Sequence, residues 1–333
     1  MAKTTTKKKR GGNGVSLGTL AALAVLCIIL AIASPNFLTY NNIMSVFKQT
    51  AFNAFVAVGM LLCLITAGID LSVGANAIFC SCLMGMMVQK GVTNGFIMLI
   101  IALIAGAAIG LINGLLLTRL HLPHPFVSTL GMKNMLWGAA LLVTGSQMVS
   151  SFPSSVTWFG SATVGGFPIA FIFVIILYIV MHGFLTTTTL GRSIYCVGGN
   201  PEAARLSGIN SANVLTFCYT FSGIMAAIAG IYTTGRSGIC NGAMGTQPYD
   251  TEAIAACIIG GASFMGGKGT MAGTIVGALI IGVLKNGFTL LSFDSALQNL
   301  VLGLVIILAV LMDVIRERME AKARRLAAAN TVK

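Results

Sequence analysis

The stretch PYDTEAIAACIIGGASFMGGKGT, residues 248–270, gathers side chains suited to chemistry. Asp250 and Glu252 place two carboxylates at one helix start, where negative charge suits the positive end of the helix dipole. Thr251 between them is positioned to help cap that start. Gly260, Gly261, Gly266, Gly267 and Gly269 follow, and so dense a run of glycine predicts that regular helix fails there. The closing GGKGT suggests a phosphate-cradling loop, but the pattern does not hold. A Walker A loop needs Gly-Lys followed at once by Ser or Thr, with a first glycine at a fixed distance ahead. Here Lys268 is followed by Gly269, and position 262 is Ala. This chain is therefore not expected to hydrolyse ATP.

A second acidic site is AGIDLSVG, residues 67–74, with Asp70 among small residues. An acid at or near hydrocarbon must be paired or hydrated. Two readings stand: a helix break lining a translocation path, or a turn in which Asp70 accepts backbone N–H bonds. Ser72 is placed to cap the helix that follows. No Ser/His/Asp set, paired-carboxylate site or other reactive cluster occupies one plausible location, so an enzyme is not expected. The cysteines Cys27, Cys63, Cys80, Cys82, Cys196, Cys218, Cys240 and Cys257 are scattered, without a C-x-x-C pair or metal spacing. They read as small packing residues. His121, His124 and His182 are equally unclustered, and neither metal nor cofactor is expected.

The third polar stretch, LGRSIYCVGGNPEAARLSGIN (190–210), carries no reactive set but a well-marked helix start. Asn200 can cap, Pro201 suits the first helical position, and Glu202 favours the positive end. PEAARLSG then predicts about two turns, closed by Gly208 as a C-terminal stop. Ala203, Ala204 and Leu206 offer a small apolar face while Arg205 projects a charge. Such a helix is either a docking element for a partner or a solvated surface helix.

The elements that hold these stretches are hydrophobic. Of 333 residues 56% are apolar and 8% charged, and the mean hydropathy is +0.92. Soluble domains carry about a quarter of their residues as charges, so a polytopic, all-α membrane protein is expected. Ten spans are predicted at 17–34, 51–67, 73–89, 96–118, 126–148, 167–185, 212–234, 252–265, 270–291 and 296–313, the eighth short enough to be re-entrant. The basic run near the N-terminus precedes an apolar stretch too long for a cleaved signal sequence. Eleven of the 20 basic residues lie in two tails, Lys3, Lys7, Lys8, Lys9 and Arg10, then Arg316, Arg318, Lys322, Arg324, Arg325 and Lys333. That distribution predicts cytoplasmic ends contacting anionic lipid, and no nucleic-acid partner. The expected organisation is a tail at 1–16, a transmembrane domain at 17–313 and a tail at 314–333. Two spans echo each other, IGLINGLL with Asn113 and IGVLKNGFTL with Asn286, as an inverted repeat of five plus five spans would produce. Asn113 and Asn286, with Asp70, Ser72, Asp250 and Glu252, are the candidates for a translocation path. Gly106, Gly110 and Gly114, and Gly273 and Gly277, recur at four-residue intervals and predict tight helix seams.

GIDLSVG (68–74), LGRSIYCVGGNPEAARLSGI (190–209), EAIAACIIGGASFMGGKGTMAGTIVGALIIGVLKNGFTLL (252–291) and SPNFLTYNNI (34–43) together resemble the ribose/galactoside-type permeases of bacterial ABC importers. The likeness runs from about residue 17 to 315. It implies a type-II-like permease in the cytoplasmic membrane, paired with a second copy and with a cytoplasmic ATPase of two nucleotide-binding domains. An extracytoplasmic binding protein would deliver a monosaccharide. The resemblance also implies a coupling loop at 186–211, with Gly199, Asn200, Glu202, Ala203, Arg205 and Gly208 as ATPase-docking positions, and Asp70 as the acid of the signature. YDTEAIAA departs from the family's Tyr-Glu-Leu-Asp-Ala-Ile-Ala-Ala by exchanging the two carboxylate lengths. A permease for branched-chain amino acids or a polyol is the neighbouring reading. An ion-driven carrier is the competing class and predicts uptake that survives ATP depletion.

Overall fold

The computed structural model describes residues 17–120 and 122–331, without the side chains of 316, 317 and 320–331. The basic tail at 1–16, His121, Lys333 and the side chains of Arg316, Lys322, Arg324 and Arg325 lie outside what is described. The described chain forms helices α1 (Leu17–Ala33), α2 (Tyr40–Ile65), α3 (Val73–Gln89), α4 (Gly95–Thr118), α5 (Pro125–Thr144) and α6 (Ser154–Ser161). A hairpin of β1 (Thr163–Val164) and β2 (Phe167–Pro168) follows, then α7 (Ile169–Thr187), α8 (Thr189–Gly199), α9 (Pro201–Leu206), α10 (Ser211–Ser237), α11 (Tyr249–Ile259), α12 (Met271–Leu290) and α13 (Ser295–Thr331).

Among the described residues, seven helices are long and apolar enough to cross a membrane: α2, α4, α5, α7, α10, α12 and the Ser295–Ile315 part of α13. α1 and α3 are shorter apolar helices of 17 residues each. The eighth expected span is an 11-residue helix, about 16 Å at 1.5 Å per residue and half a bilayer. It ends where the glycine run begins, with Gly261 at a φ of +95°. The second span begins eleven residues earlier than expected, at Tyr40, so Lys48 lies within α2 instead of outside it. The last helix continues through the expected boundary at 313 to Thr331.

α2 is the central post: 89% of its apolar window is buried, against 6% for α13 at the periphery. Partner choice follows a pattern. α4 packs on α10, and α12 packs on α2; α3 lies against α4, α5 and α10, while α11 lies against α12, α13 and α2. α2 and α10 pack on each other. The starts of α3 and α11 meet, since a Cβ on Gly74 would sit 3.0 Å from that of Tyr249. The glycine rows are seams between backbones. Gly106, Gly110 and Gly114 face α10, where a Cβ on Gly114 would lie 2.8 Å from the Thr216 Cα and one on Gly110 would strike the Tyr219 carbonyl. Gly273 and Gly277 face α11 at the carbonyls of Gly260 and Ala256.

Candidate functional site

The Asp70 turn is a closed polar knot. α2 ends at Ile65, and the chain reverses with Ala67 at a φ of +59° and the Gly68 N–H donating to the Cys63 carbonyl at 2.8 Å. Asp70, only 1% exposed, accepts at Oδ1 from the Ser72 backbone N–H at 3.0 Å and the Ser72 hydroxyl at 2.6 Å. Its Oδ2 accepts from the Ser222 hydroxyl of α10 at 2.9 Å. The Asn113 Nδ2 of α4 donates to the Ser72 Oγ at 2.8 Å, and the Tyr219 hydroxyl donates to the Ile69 carbonyl at 3.2 Å. A buried carboxylate is tolerated only when hydrogen-bonded in this way. Ser72 does stand at the start of α3 but makes no side-chain cap; its hydroxyl is turned to Asp70. Of the two readings of this acid, the geometry is that of an Asx turn tied to two neighbouring helices.

Asp250 and Glu252 open α11 and are both buried. Asp250 Oδ2 accepts from Lys133 Nζ of α5 at 2.8 Å, and Glu252 Oε1 from Lys285 Nζ of α12 at 2.7 Å. Residues two apart on a helix lie about 200° apart around its axis. The two acids therefore point to opposite neighbours, and the first turn of α11 is pinned from both sides. The exchanged carboxylate lengths serve different lysines. Thr251 does not cap the helix: its hydroxyl donates to the Pro248 carbonyl at 2.8 Å, away from the free N–H groups. Lys133 and Lys285 escaped the sequence reading, although the signal was present. Each lies within an expected span, where a cation is costly without a partner.

The other candidates do not converge on one site. Asn113 belongs to the Asp70 knot, whereas Asn286 exchanges two amide bonds with Asn42 of α2, at 2.8 and 3.0 Å. Neither group touches the third candidate element, at the far end of α2.

There α8 and α9 form a rigid bracket. The sequence reading had no helix at 189–199, yet Thr188 caps one by accepting from the Gly191 N–H at 3.0 Å. Its buried positions Gly191, Ile194, Val197 and Gly198 recur at helical spacing. α8 is seated on the end of α2: a Cβ on Gly198 would strike the Ile65 carbonyl, which accepts from the Gly267 N–H at 2.8 Å. The Tyr195 hydroxyl donates to the Gly269 carbonyl at 2.7 Å, and burial pushes its phenol pKa up. The GGKGT loop, with Gly266 and Gly267 at φ of +84° and +70°, is thus the seat of α8.

α9 projects from this seat. Asn200 accepts from the Ala203 N–H at 3.0 Å, and Gly208, at a φ of +80°, completes a Schellman stop with the Ile209 N–H donating to the Ala204 carbonyl at 3.0 Å. The expected apolar face is split. Ala204 is buried as the anchor, whereas Ala203 is exposed and Leu206 is 79% exposed. Arg205 Nη2 donates to Glu202 Oε2 at 3.1 Å, both side chains open to the surroundings. Gly199 has nothing within 4 Å of the place a Cβ would take. Asn200→Ala is expected to loosen α9 by about 1 kcal/mol, read as roughly fivefold faster amide exchange at Ala203 to Arg205.

Residues 42–310 match the family described as branched-chain amino acid transport system / permease component. The chain is 39% identical to the ribose import permease protein RbsC of Escherichia coli over 299 residues, 89% of this chain and 92% of the relative. It is 36% identical to the D-allose transport system permease protein AlsC of Escherichia coli, covering 89% and 90% of the two chains. To the galactose/methyl galactoside import permease protein MglC of Escherichia coli it is 33% identical, covering 89% and 93%. No solved structure matches it at a significant level. With seven apolar helices of spanning length among the described residues and a family match over most of its length, the chain is a multi-pass membrane protein belonging to the branched-chain amino acid transport system / permease component family.

Proposed function

We propose that the protein is the permease subunit of an ATP-driven monosaccharide importer of the cytoplasmic membrane. The substrate class follows the relatives, whose names give ribose, D-allose and galactose. A second copy completes the pore, an ATPase subunit with two nucleotide-binding domains docks on α8–α9 within 186–211, and an extracytoplasmic binding protein delivers the sugar. The observation that carries the docking assignment is α9 itself: capped by Asn200 and the Gly208 turn, exposed along Glu202, Ala203, Arg205 and Leu206, and carried on α8, which is seated on the end of α2.

A five-plus-five inverted repeat of ten spans is supported by the exchange of partners. If α1–α5 correspond to α7 and α10–α13, the pairing of α4 with α10 maps onto that of α12 with α2. The contacts of α3 with α4, α5 and α10 likewise map onto those of α11 with α12, α13 and α2. A cytoplasmic position for both ends is supported by their common level. Thr19 of α1 donates to the Ile259 carbonyl at 3.3 Å, and Asp313 of α13 accepts from the Phe264 N–H at 3.1 Å, both beside the loop that seats α8. Nucleotide-driven movement of α9 passes through α8 to the Ile65 end of α2 and so to the Asp70 turn, shifting the spans between outward and inward access.

The test is a charge exchange, Glu202→Lys with Arg205→Glu. The pair inside α9 survives in reversed order, so the helix keeps its internal bond while the charge presented to a partner is inverted. The variant is expected to remain monodisperse in detergent and to lose co-purification of the ATPase. Retained stoichiometric binding would overturn the docking assignment.

A further inference from the structure

Two of the cysteines that look scattered along the sequence meet in the fold. Cys82 belongs to α3 and Cys240 to the segment 238–248 between α10 and α11, and both are buried. Their thiols are hydrogen-bonded to each other. A second contact fixes the same placement. The Cys240 Sγ occupies the space that a Cβ on Gly85 would take, and Gly85 follows Cys82 by three residues, on the same face of α3. The backbone of Cys240 is anchored as well, exchanging N–H···O bonds with Val149 at 2.9 and 3.0 Å in an antiparallel bridge. Two thiols in contact on anchored backbones need only side-chain rotation and a small adjustment to reach the geometry of a disulfide. Cys80, two residues before Cys82, is directed elsewhere: its thiol donates to the Asn76 Oδ1 and the Ala102 carbonyl.

The pair lies in the half of the bundle remote from α8–α9, since the segment 238–248 follows the far end of α10. With both chain ends cytoplasmic, as proposed above, that half faces the extracytoplasmic side, where disulfides form and persist. We propose that Cys82 and Cys240 are a disulfide-forming pair that staples the α10–α11 segment to α3. The oxidant is a disulfide of the extracytoplasmic space. The Cys240 thiolate attacks one sulfur of that disulfide and releases its first thiol; the Cys82 thiolate then attacks the Cys240 sulfur of the mixed disulfide and releases the second. Two protons and two electrons leave the pair, and the oxidant is reduced to two thiols. The first turn of α11 is already pinned by Lys133 and Lys285, so the staple holds the connection from α10 at its other end. The inference rests on the proposed orientation of the chain and adds a covalent modification to the transport reading.

The test uses the full chain, expressed in aerobically grown bacteria with an oxidising periplasm, trapped with N-ethylmaleimide in denaturing detergent and digested for mass spectrometry. Cys82 and Cys240 are expected in one linked pair of peptides, two hydrogens lighter than the separate thiols and open to alkylation only after dithiothreitol. The reductant is expected to lower the melting temperature by roughly 5 °C. It is expected to leave the double variant Cys82→Ala with Cys240→Ala unmoved. Alkylation of both residues without reductant would overturn the pairing, as would a bond from either to another cysteine. Cys196, exposed on α8, reports the orientation separately: a membrane-impermeant maleimide is expected to reach it only in broken cells. Labelling of Cys196 in intact cells would overturn the orientation and this inference with it. Free thiols at 82 and 240 with Cys196 protected would overturn the disulfide alone.

Discussion

Lys133→Met is expected to destabilise the protein by about 3–5 kcal/mol, the cost of leaving a buried charge without its partner. The partner is Asp250, 2% exposed, whose Oδ2 lies 2.8 Å from the Lys133 Nζ and whose Oδ1 has no hydrogen-bond partner among the described residues. Methionine keeps the length and apolar stem of lysine, so packing is preserved and the loss isolates the charge. The companion Lys133→Met with Asp250→Asn removes both charges and is expected to recover most of the loss, because a buried ion pair contributes little beyond satisfying itself. Thermal unfolding in detergent, followed for wild type, both single variants and the double variant, measures the coupling. Equal stability of Lys133→Met and wild type would show that Asp250 is hydrated and that α11 is not pinned through α5.

Gly198→Val is expected to uncouple hydrolysis from transport. A Cβ at this position strikes the Ile65 carbonyl and comes within 2.9 Å of the Gly267 N, so the obstacles are backbone atoms that no rotamer relieves. α8 must lift from the end of α2, taking with it the Tyr195–Gly269 bond, at a cost of about 1–3 kcal/mol or more. α9 is left intact, since its caps lie within its own residues, so the ATPase is expected still to bind and to hydrolyse ATP. Sugar uptake is expected to fall at least about tenfold, the equivalent of 1.4 kcal/mol in the coupling step. Gly199→Ala, one residue on and with open space at its Cβ position, is the control and is expected to behave as wild type. Normal uptake by Gly198→Val would remove the α8–α2 seat from the coupling route.

What the sequence made legible was whatever depends on neighbours in the chain. Asn200, Pro201 and Gly208 specify α9 within a few residues, and the glycine triplet of α4 announces a seam, because caps and close-approach faces are local patterns. What stayed hidden depends on long-range partners. Asp250 and Glu252 were visible as acids, but only the fold brings Lys133 and Lys285 to them across 117 and 33 residues. Ser72 looks like a cap from its position, and it is the carboxylate two residues earlier, held from α10, that claims its hydroxyl. Gly198 and Gly199 are indistinguishable in sequence, yet one is sterically required and its neighbour is free. The short α11 was marked as unusual by its glycines. Its two-sided attachment was not, since helical phase turns residues two apart to different neighbours only once those neighbours are in place.

The self-contained capping of α9 bears on how the importer assembles. Its Ala203 amide is taken by Asn200 and its Ala204 and Arg205 carbonyls by the Gly208 turn, so the helix is closed by residues of its own loop. Docking at α9, as proposed, would then order no chain, and none of the interaction energy would be lost to folding a recognition segment. Association would be an encounter of two finished surfaces, with a rate expected to follow orientation and the Glu202–Arg205 charges. Its heat-capacity change is expected to report little more than the burial of Leu206 and its neighbours.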